Sequence, residues 1–345
     1  MANIIYGVSG QGFGHATRSK EILDYLVSKG HKVLVFTYGQ ALFFLDHDFD
    51  VVEIPGLGLT YKNNKLAYWD TFYKTTKQLF KQTRGWHKNL KRFKDFKPDL
   101  VITDFEPFTS TLAKAKMVPL VSLDNQHQLT NTKIKVPLKY KNDLLGNRMA
   151  IKTLVWGAKY YLITSFFQTP IRSKNTFLFP PLLRKEILEL KPQKQDYILV
   201  YQNSNFNSII KHLKSYDRRF IVYGANKNSK DGNIEFKEYS HGGWLNDLAN
   251  CRAIIGTAGL SLITEAIHLG KPYLAVPVKK QVEQVINAIY LEKMGYGMKS
   301  FGFSKGILDD FFSKLDDYDE QLKKYIKSDN KKLHRAIDKI IKEFS

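Results

Sequence analysis

The run Ile254-Ile255-Gly256-Thr257-Ala258-Gly259-Leu260-Ser261-Leu262-Ile263-Thr264-Glu265-Ala266 constrains the fold more tightly than any other part of the chain. An apolar, β-branched stretch stops at a glycine, a second glycine tightens the turn, and helical spacing begins near Ser261. Such a strand-to-helix junction is the building unit of parallel sheets whose strands are covered by helices on both faces. It also leaves the free N–H groups of a helix start pointing outward. The helix field there favours an anion such as a diphosphate.

The rest of the chain repeats the theme. Residues 4–8, 32–37, 99–103, 118–123 and 159–165 read as strands, the last of them closing the first half. Residues 17–28 have helical spacing through Ile22, Leu23, Leu26 and Val27, and Gly30 stops that helix. Residues 177–194, with Pro180-Pro181 and Pro192, read as a connection. Strands at 197–201, 220–223, 253–255 and 273–276 then alternate with helices near 204–215, 244–249, 261–269 and 282–294. The expectation is a Rossmann-like domain at 1–178, a linker at 179–194 and a second Rossmann-like domain at 195–322. A basic helix at 323–345 is expected to pack back on the body. A chain of 345 residues with 43% hydrophobic content can fill two cores of that size. Ligands in such sheets sit outside the carboxyl ends of the strands.

Charge and cysteine usage narrow the classes. A formal charge of +20 would draw nucleic acid, an anionic membrane surface or an anionic small substrate. The lone Cys251 excludes an internal disulfide framework and a CxxC site, and it fits a reducing compartment, so a cytoplasmic location is expected. No leader pattern precedes the strand at 4–8. The apolar stretch 150–167 is interrupted by Lys152 and Lys159 and falls short of a membrane span. No His/Cys cluster with ligand spacing is present, and no metal is expected.

After the first strand comes Gly7-Val8-Ser9-Gly10-Gln11-Gly12-Phe13-Gly14-His15-Ala16-Thr17-Arg18. It lacks the GxGxxG spacing, because His15 stands where the final glycine would, and it lacks the Gly-Lys-Ser/Thr of a P-loop. Glycines 10, 12 and 14 let backbone approach a ligand. An imidazole at such a strand end can take a proton from a bound hydroxyl, and its ordinary pKa of about 6.5 suits that work near neutral pH. A base needs an orienting partner. The strand at 99–103 leads into Asp104, with Glu106 close behind, and either carboxylate could hold the imidazole tautomer. Asp124 is a weaker candidate for the same role. Arg18 would pair with an anionic acceptor or with Glu21. A purely structural role for His15 and Asp104 in the loop and the next helix stays open.

Beyond Glu265 the chain runs through Gly270-Lys271-Pro272, Pro277, Glu283-Gln284 and Asn287-Ala288. In this order and spacing the second half resembles the donor domain of GT-B glycosyltransferases. The closest patterns are those of the UDP-sugar enzymes and of the peptidoglycan enzyme that adds N-acetylglucosamine to a lipid-linked acceptor. The first half resembles the acceptor domain of the same family through Gly14-His15. The resemblance implies a GT-B fold, two Rossmann-like domains facing across a central cleft. It further implies an inverting, metal-independent transferase that uses a UDP-sugar as co-substrate.

Site roles follow from the same resemblance. Gly259, Leu260 and Ser261 would bind the donor diphosphate, and Glu265 the ribose hydroxyls. Glu283 and Gln284 would take the donor sugar, and the base would lie along 239–245 with Trp244. Thr257 departs from the histidine or arginine of many relatives, which weakens one phosphate contact. Asn203 and Ser204 replace a glycine-rich loop and would touch phosphate or cap the next helix.

The acceptor is less defined. Residues 61–97 carry eleven lysines and arginines against Asp70 and Asp95, interleaved with aromatic rings. An anionic membrane surface, a lipid-linked or glycan acceptor, single-stranded nucleic acid or a plain solvated face would each produce that mixture, with nucleic acid the least favoured. A peripheral membrane role in cell-envelope synthesis is the leading form of this expectation. Two alternatives remain: a sugar-nucleotide epimerase of the same fold, and a non-catalytic nucleotide- or polyanion-binding protein.

Overall fold

The structure is a computed structural model, and it describes residues 1–10, 13–56, 61–62, 65–66, 83–201, 206–278 and 281–345. The chain divides into two compact units, Met1–Arg184 joined by Asp329–Ser345, and Lys185–Ser328. Residues 202–205, which include Asn203 and Ser204, and residues 63–64 and 67–82 of the basic aromatic segment at 61–97 lie outside the described residues.

The first unit is built on strands β1 (Asn3–Val8), β2 (Lys32–Thr37), β3 (Val51–Glu53), β6 (Leu100–Asp104), β7 (Leu120–Asp124), β8 (Tyr160–Thr164) and β9 (Thr176–Phe179). Among the described residues, the short strands β4 (Tyr61–Lys62) and β5 (Lys65–Leu66) pair with each other. Among the described residues the main sheet has the order β3-β2-β1-β6-β7-β8-β9, and every neighbouring pair is parallel. Strands β6 and β7 are buried along their whole length, which is why they read as unbroken apolar runs.

The pleat sends alternate residues of β1 to opposite faces. Ile4, Tyr6 and Val8 join Ile22, Leu23 and Leu26 of the helix Phe13–Ser28 in one core cluster. Leu333, Ile337 and Ile341 of the C-terminal helix Lys331–Phe344 complete that cluster, spaced to line one helix face. Ile5 faces the other way, against Phe93 of the helix Thr83–Phe96 and Phe108, Leu112 and Ala113 of the helix Pro107–Ala115.

One expectation fails here. The first sheet does not end with the strand near 159–165, because β9 pairs with β8 in parallel and forms the sheet edge. The run Thr176-Phe177-Leu178-Phe179 has the aromatic and β-branched character of a strand. The prolines that follow it end the strand rather than make the whole stretch a connection.

The second unit carries β10 (Tyr197–Tyr201), β11 (Arg219–Tyr223), β12 (Ser229–Asp231), β13 (Ile234–Lys237), β14 (Ala253–Gly256), β15 (Tyr273–Ala275) and β16 (Gly297–Lys299). Their order among the described residues is β12-β13-β11-β10-β14-β15-β16, parallel except for the β12–β13 hairpin. Ile198, Val200, Phe220, Val222 and Ile255 meet Leu308 and Phe311 of the helix Lys305–Ser313 in its core.

Both sheets share one topological device. In each, the first strand of the unit is flanked by its successor on one side and by a later strand on the other: β2 and β6 around β1, β11 and β14 around β10. The chain therefore leaves two adjacent strands in opposite directions, opening a crevice at their carboxyl ends where ligands of such sheets bind. Among the described residues, no helix is long and apolar enough to cross a membrane.

Candidate active site

The carboxyl ends of β1 and β6 meet at the register pair Val8 and Asp104, and the Ser9 N–H donates to the Asp104 carbonyl at 3.1 Å. The helix Phe13–Ser28 rises beside this edge and carries Gly14 and His15 in its first turn. The His15 Nδ1 lies 2.9 Å from Asp104 Oδ1, with the histidine side chain 15% exposed and the aspartate 1%. An ionised carboxylate only accepts, so in this contact Nδ1 donates; in the neutral ring of that tautomer the lone pair is on Nε2. The Gln126 side-chain amide lies on that other side, its Nε2 3.4 Å from His15 Nε2.

Asp104 holds more than the imidazole. One helical turn beyond His15, the Arg18 Nε donates to Oδ2 at 2.7 Å, and its second nitrogen donates to Oδ1. Ser19 Oγ donates to Oδ2 at 3.0 Å. Arg18 also reaches Asn125 Oδ1 at 2.5 Å and stands 2.9 Å from His15 Nδ1. Burial by itself would raise the Asp104 carboxyl. The Arg18 and His15 side chains outweigh it and hold that carboxyl well below the usual carboxylate range. The structure thus places Arg18 on Asp104 and Asn125, contacts not expected from the sequence.

Glu106 does not share the duty assigned to it alongside Asp104. Phe105 adopts a left-handed conformation (φ 54°), and the chain turns there away from the strand direction. The Glu106 carboxylate then caps the helix Pro107–Ala115. It accepts from the Phe108 N–H and the Thr109 N–H, each at 2.7 Å, and from Thr109 Oγ1 at 2.6 Å. Burial pushes its pKa up to about 7 against the pull of these donors. Gly7 makes the arrangement possible, because a β-carbon there would lie 2.1 Å from Thr109 Oγ1.

Asp124 is likewise engaged elsewhere. Its Oδ2 lies 2.7 Å from His127 Nδ1 and accepts from Ser122 Oγ at 2.6 Å, while its Oδ1 accepts the His127 N–H at 2.9 Å. The His127 Nε2 lies 3.1 Å from the Val155 carbonyl. Both ring nitrogens face acceptors, an arrangement that favours the protonated ring. Its pKa is raised because the Asp124 charge and these bonds outweigh burial.

In the second unit the helix Leu260–His268 starts at the end of β14, with Gly259 as its N-cap. The first i to i−4 bond runs from the Ile263 N–H to the Gly259 carbonyl, so the N–H groups of Leu260, Ser261 and Leu262 have no acceptor within the helix. The turn before the helix is braced from two sides. Tyr273 Oη donates to the Thr257 carbonyl at 2.7 Å, and Asn287 Nδ2 to the Ala258 carbonyl at 3.0 Å. A β-carbon at Gly256 would sit 2.4 Å from Tyr273 Oη, which is why a glycine ends this strand. At Gly259 a β-carbon would meet nothing within 4 Å, so the mouth of the helix start is open.

The other residues singled out from the sequence fall into distinct places. Glu265 is buried one turn into the same helix. Glu283 lies in the first turn of the helix Val282–Lys293. Gln284 spends its amide on the loop before that helix, accepting from the Val278 N–H at 2.9 Å and donating to Gln281 at 2.7 Å. Trp244 is a buried member of an aromatic cluster with Tyr201, Tyr223 and the exposed Tyr239. The sequence reading missed Ser19, Asn125 and Gln126. Ser19 was findable as the residue one helical turn after His15. The other two follow the end of β7, beside the switch point.

Residues 2–316 match the family described as "Glycosyl transferase family 1". The chain belongs to this family. An uncharacterized glycosyltransferase of Methanosarcina mazei is 24% identical over 328 residues, covering 85% of this chain and 84% of that one. The UDP-N-acetylglucosamine–N-acetylmuramyl-(pentapeptide) pyrophosphoryl-undecaprenol N-acetylglucosamine transferase of Clostridium tetani is 30% identical over 190 residues, half of this chain (50%) and 52% of its own. Phytolacca americana UGT2, solved with UDP-2-fluoro-glucose and pterostilbene, shares the fold. Its TM-score is 0.71 at 13% identity, with 99% of each chain covered. The protein is a glycosyltransferase with the GT-B fold.

Proposed function

We propose that this glycosyltransferase moves a hexosyl or N-acetylhexosaminyl group from a UDP-sugar to an acceptor hydroxyl, with inversion at the anomeric carbon. The observation that carries the reading is the His15–Asp104 contact of 2.9 Å at the switch point of the first sheet. In it, His15 Nε2 takes the proton of the acceptor hydroxyl while Asp104 stabilises the imidazolium that forms. The hydroxyl oxygen bonds to the anomeric carbon as the bond to the diphosphate oxygen breaks, and the electron pair leaves with the nucleoside diphosphate.

The free N–H groups of Leu260 and Ser261 are suited to the charge that develops on the leaving group. This assignment does not call on a metal. Glu265 is assigned to the ribose hydroxyls and Glu283 to hydroxyls of the donor sugar, with Gln284 holding the loop beside it. A lipid-linked acceptor is the leading form of the acceptor. It is supported by the Clostridium tetani relative, whose acceptor carries undecaprenol.

The test is nucleoside diphosphate release from a panel of sugar nucleotides, with and without acceptor. His15→Gln should lower kcat about 10²- to 10⁴-fold, the range for a positioned base, with donor affinity unchanged. Wild-type turnover in that variant would sink the base assignment. Glu265→Ala should weaken donor binding by calorimetry, and equal affinity would remove its ribose role. Conversion of UDP-N-acetylglucosamine to its epimer without acceptor would replace transfer by epimerisation.

A further inference from the structure

Four large apolar side chains stand exposed within one stretch of the first unit: Leu138 (78%), Leu145 (58%), Met149 (63%) and Trp156 (59%). Single exposed apolar residues are ordinary, but a contiguous group is not. Helical spacing puts two of the four, Leu145 and Met149, side by side. The helix Lys141–Leu154 buries Leu144 and Ile151 on its inner side. Leu145 and Met149 lie one turn apart on the outer side, with Lys141 one turn before them and Lys152 close to one turn after. Leu138 precedes them in the short helix Leu138–Tyr140, and Trp156 follows the helix end. The Trp156 ring is held by Lys114, whose Nζ stands 3.1 Å from the ring centroid.

The rim of this patch is basic. Residues 131–156 contain Lys133, Lys135, Lys139, Lys141, Arg148 and Lys152 against Asp143 alone. All five of these lysines are exposed. Cores of protein–protein interfaces are depleted of lysine, so a folded protein partner suits this surface poorly. An anionic bilayer suits it well: apolar side chains enter the acyl boundary, lysines meet the headgroups, and a tryptophan sits at the junction.

We propose that this helix face docks the enzyme on an anionic lipid surface. The same β7-to-β8 crossover begins at the sheet edge that carries Asn125 and Gln126, beside His15. The proposal deepens the lipid-linked acceptor reading and rests on it for its purpose, although its test needs neither donor nor acceptor.

Co-sedimentation of the full chain with phosphatidylglycerol-containing and pure phosphatidylcholine vesicles decides it. Binding is expected on the former and not the latter. Lys141→Gln with Lys152→Gln should lower partitioning roughly tenfold or more, at about one tenfold step per one to two lysines. Leu145→Glu with Met149→Glu should abolish it, with an unchanged circular dichroism spectrum and melting temperature, since both residues are exposed. No binding by the wild type overturns the proposal. So does binding that survives the Leu145/Met149 double variant, which would place the contact elsewhere or reduce it to charge adsorption. Transfer to a water-soluble acceptor alongside failed vesicle binding would retire the docking surface and leave the transfer chemistry standing. Vesicle binding without any diphosphate release would do the reverse.

Discussion

Asp104→Asn separates the structural job of this carboxylate from the catalytic one proposed for it. The substitution keeps the side-chain volume but removes the charge, and it puts an N–H₂ group where one of four donors now points. Those donors are His15 Nδ1, two nitrogens of Arg18 and Ser19 Oγ. Breaking a buried pair by neutralising one partner costs about 3–5 kcal/mol, because Arg18, 13% exposed, keeps its charge without a counter-charge. Urea or thermal unfolding should show that loss.

The catalytic loss is a separate number. A base whose tautomer is no longer held should lose about 10²-fold or more in kcat. Arg18→Met provides the counterpart: it should lower stability while the His15–Asp104 bond, and most of kcat, survive. The pH dependence carries a sign. The Asp104 carboxyl is depressed in the folded state, so its contribution is present above the unfolded aspartate value of about 3.9 and is lost as pH falls through the folded pKa. The stability gap between wild type and Asp104→Asn should therefore be level from about pH 5 upward and close only in acid. An Asp104→Asn enzyme that unfolds early yet keeps kcat within about threefold would refute the argument. Asp104 would then serve Arg18 alone.

Two further outcomes follow from the carboxylates around that site. His127→Phe should destabilise the fold by about 3 kcal/mol, because Asp124 is left charged and buried. The His127 pKa is raised on folding, so the gap should be full below about pH 6.5 and shrink as pH rises through the folded value, as read by thermal melts across pH. Glu106 has the opposite character for an acid, with burial lifting it to about 7. Relative to Glu106→Gln, wild-type stability should fall by on the order of 3 kcal/mol as pH rises from about 4.5 to 7, and melts at the two ends of that window measure it.

Much of this fold was legible because parallel strands covered on both faces announce themselves as short apolar runs between helices. The run Val101-Ile102-Thr103 and the run Ile254-Ile255-Gly256 are cases in point. The edge strands β3 and β9 were harder to read. β3 is three residues long, and β9 is followed at once by two prolines. At the first site the His15–Asp104 contact was foreseeable from parallel register, since both residues stand at carboxyl ends of adjacent strands or just beyond.

The fate of Glu106 was not foreseeable, because it depends on a left-handed Phe105 that no side-chain pattern advertises. Arg18 gains partners in the fold that its sequence neighbourhood does not name. Sequence offers Glu21 as its helical neighbour, and the third dimension adds Asp104 and Asn125. Asn287 was noticed only as part of a motif. Its work is to brace the Ala258 carbonyl at the helix start, which appears only once two helices are brought together.

The return of Asp329–Ser345 to the first unit sets an order of events during synthesis. One face of the first sheet, over Leu23 and Leu26, is completed by Leu333, Ile337 and Ile341. Those residues emerge from the ribosome only after all of Lys185–Ser328 has been made, roughly 7–30 s later at usual elongation rates. Until then the nascent first unit carries an uncovered apolar seam. Chaperone demand should therefore peak between the emergence of Arg184 and that of Phe344, and a ribosome stalled in that interval would expose a sticky intermediate even if the second unit were already folded.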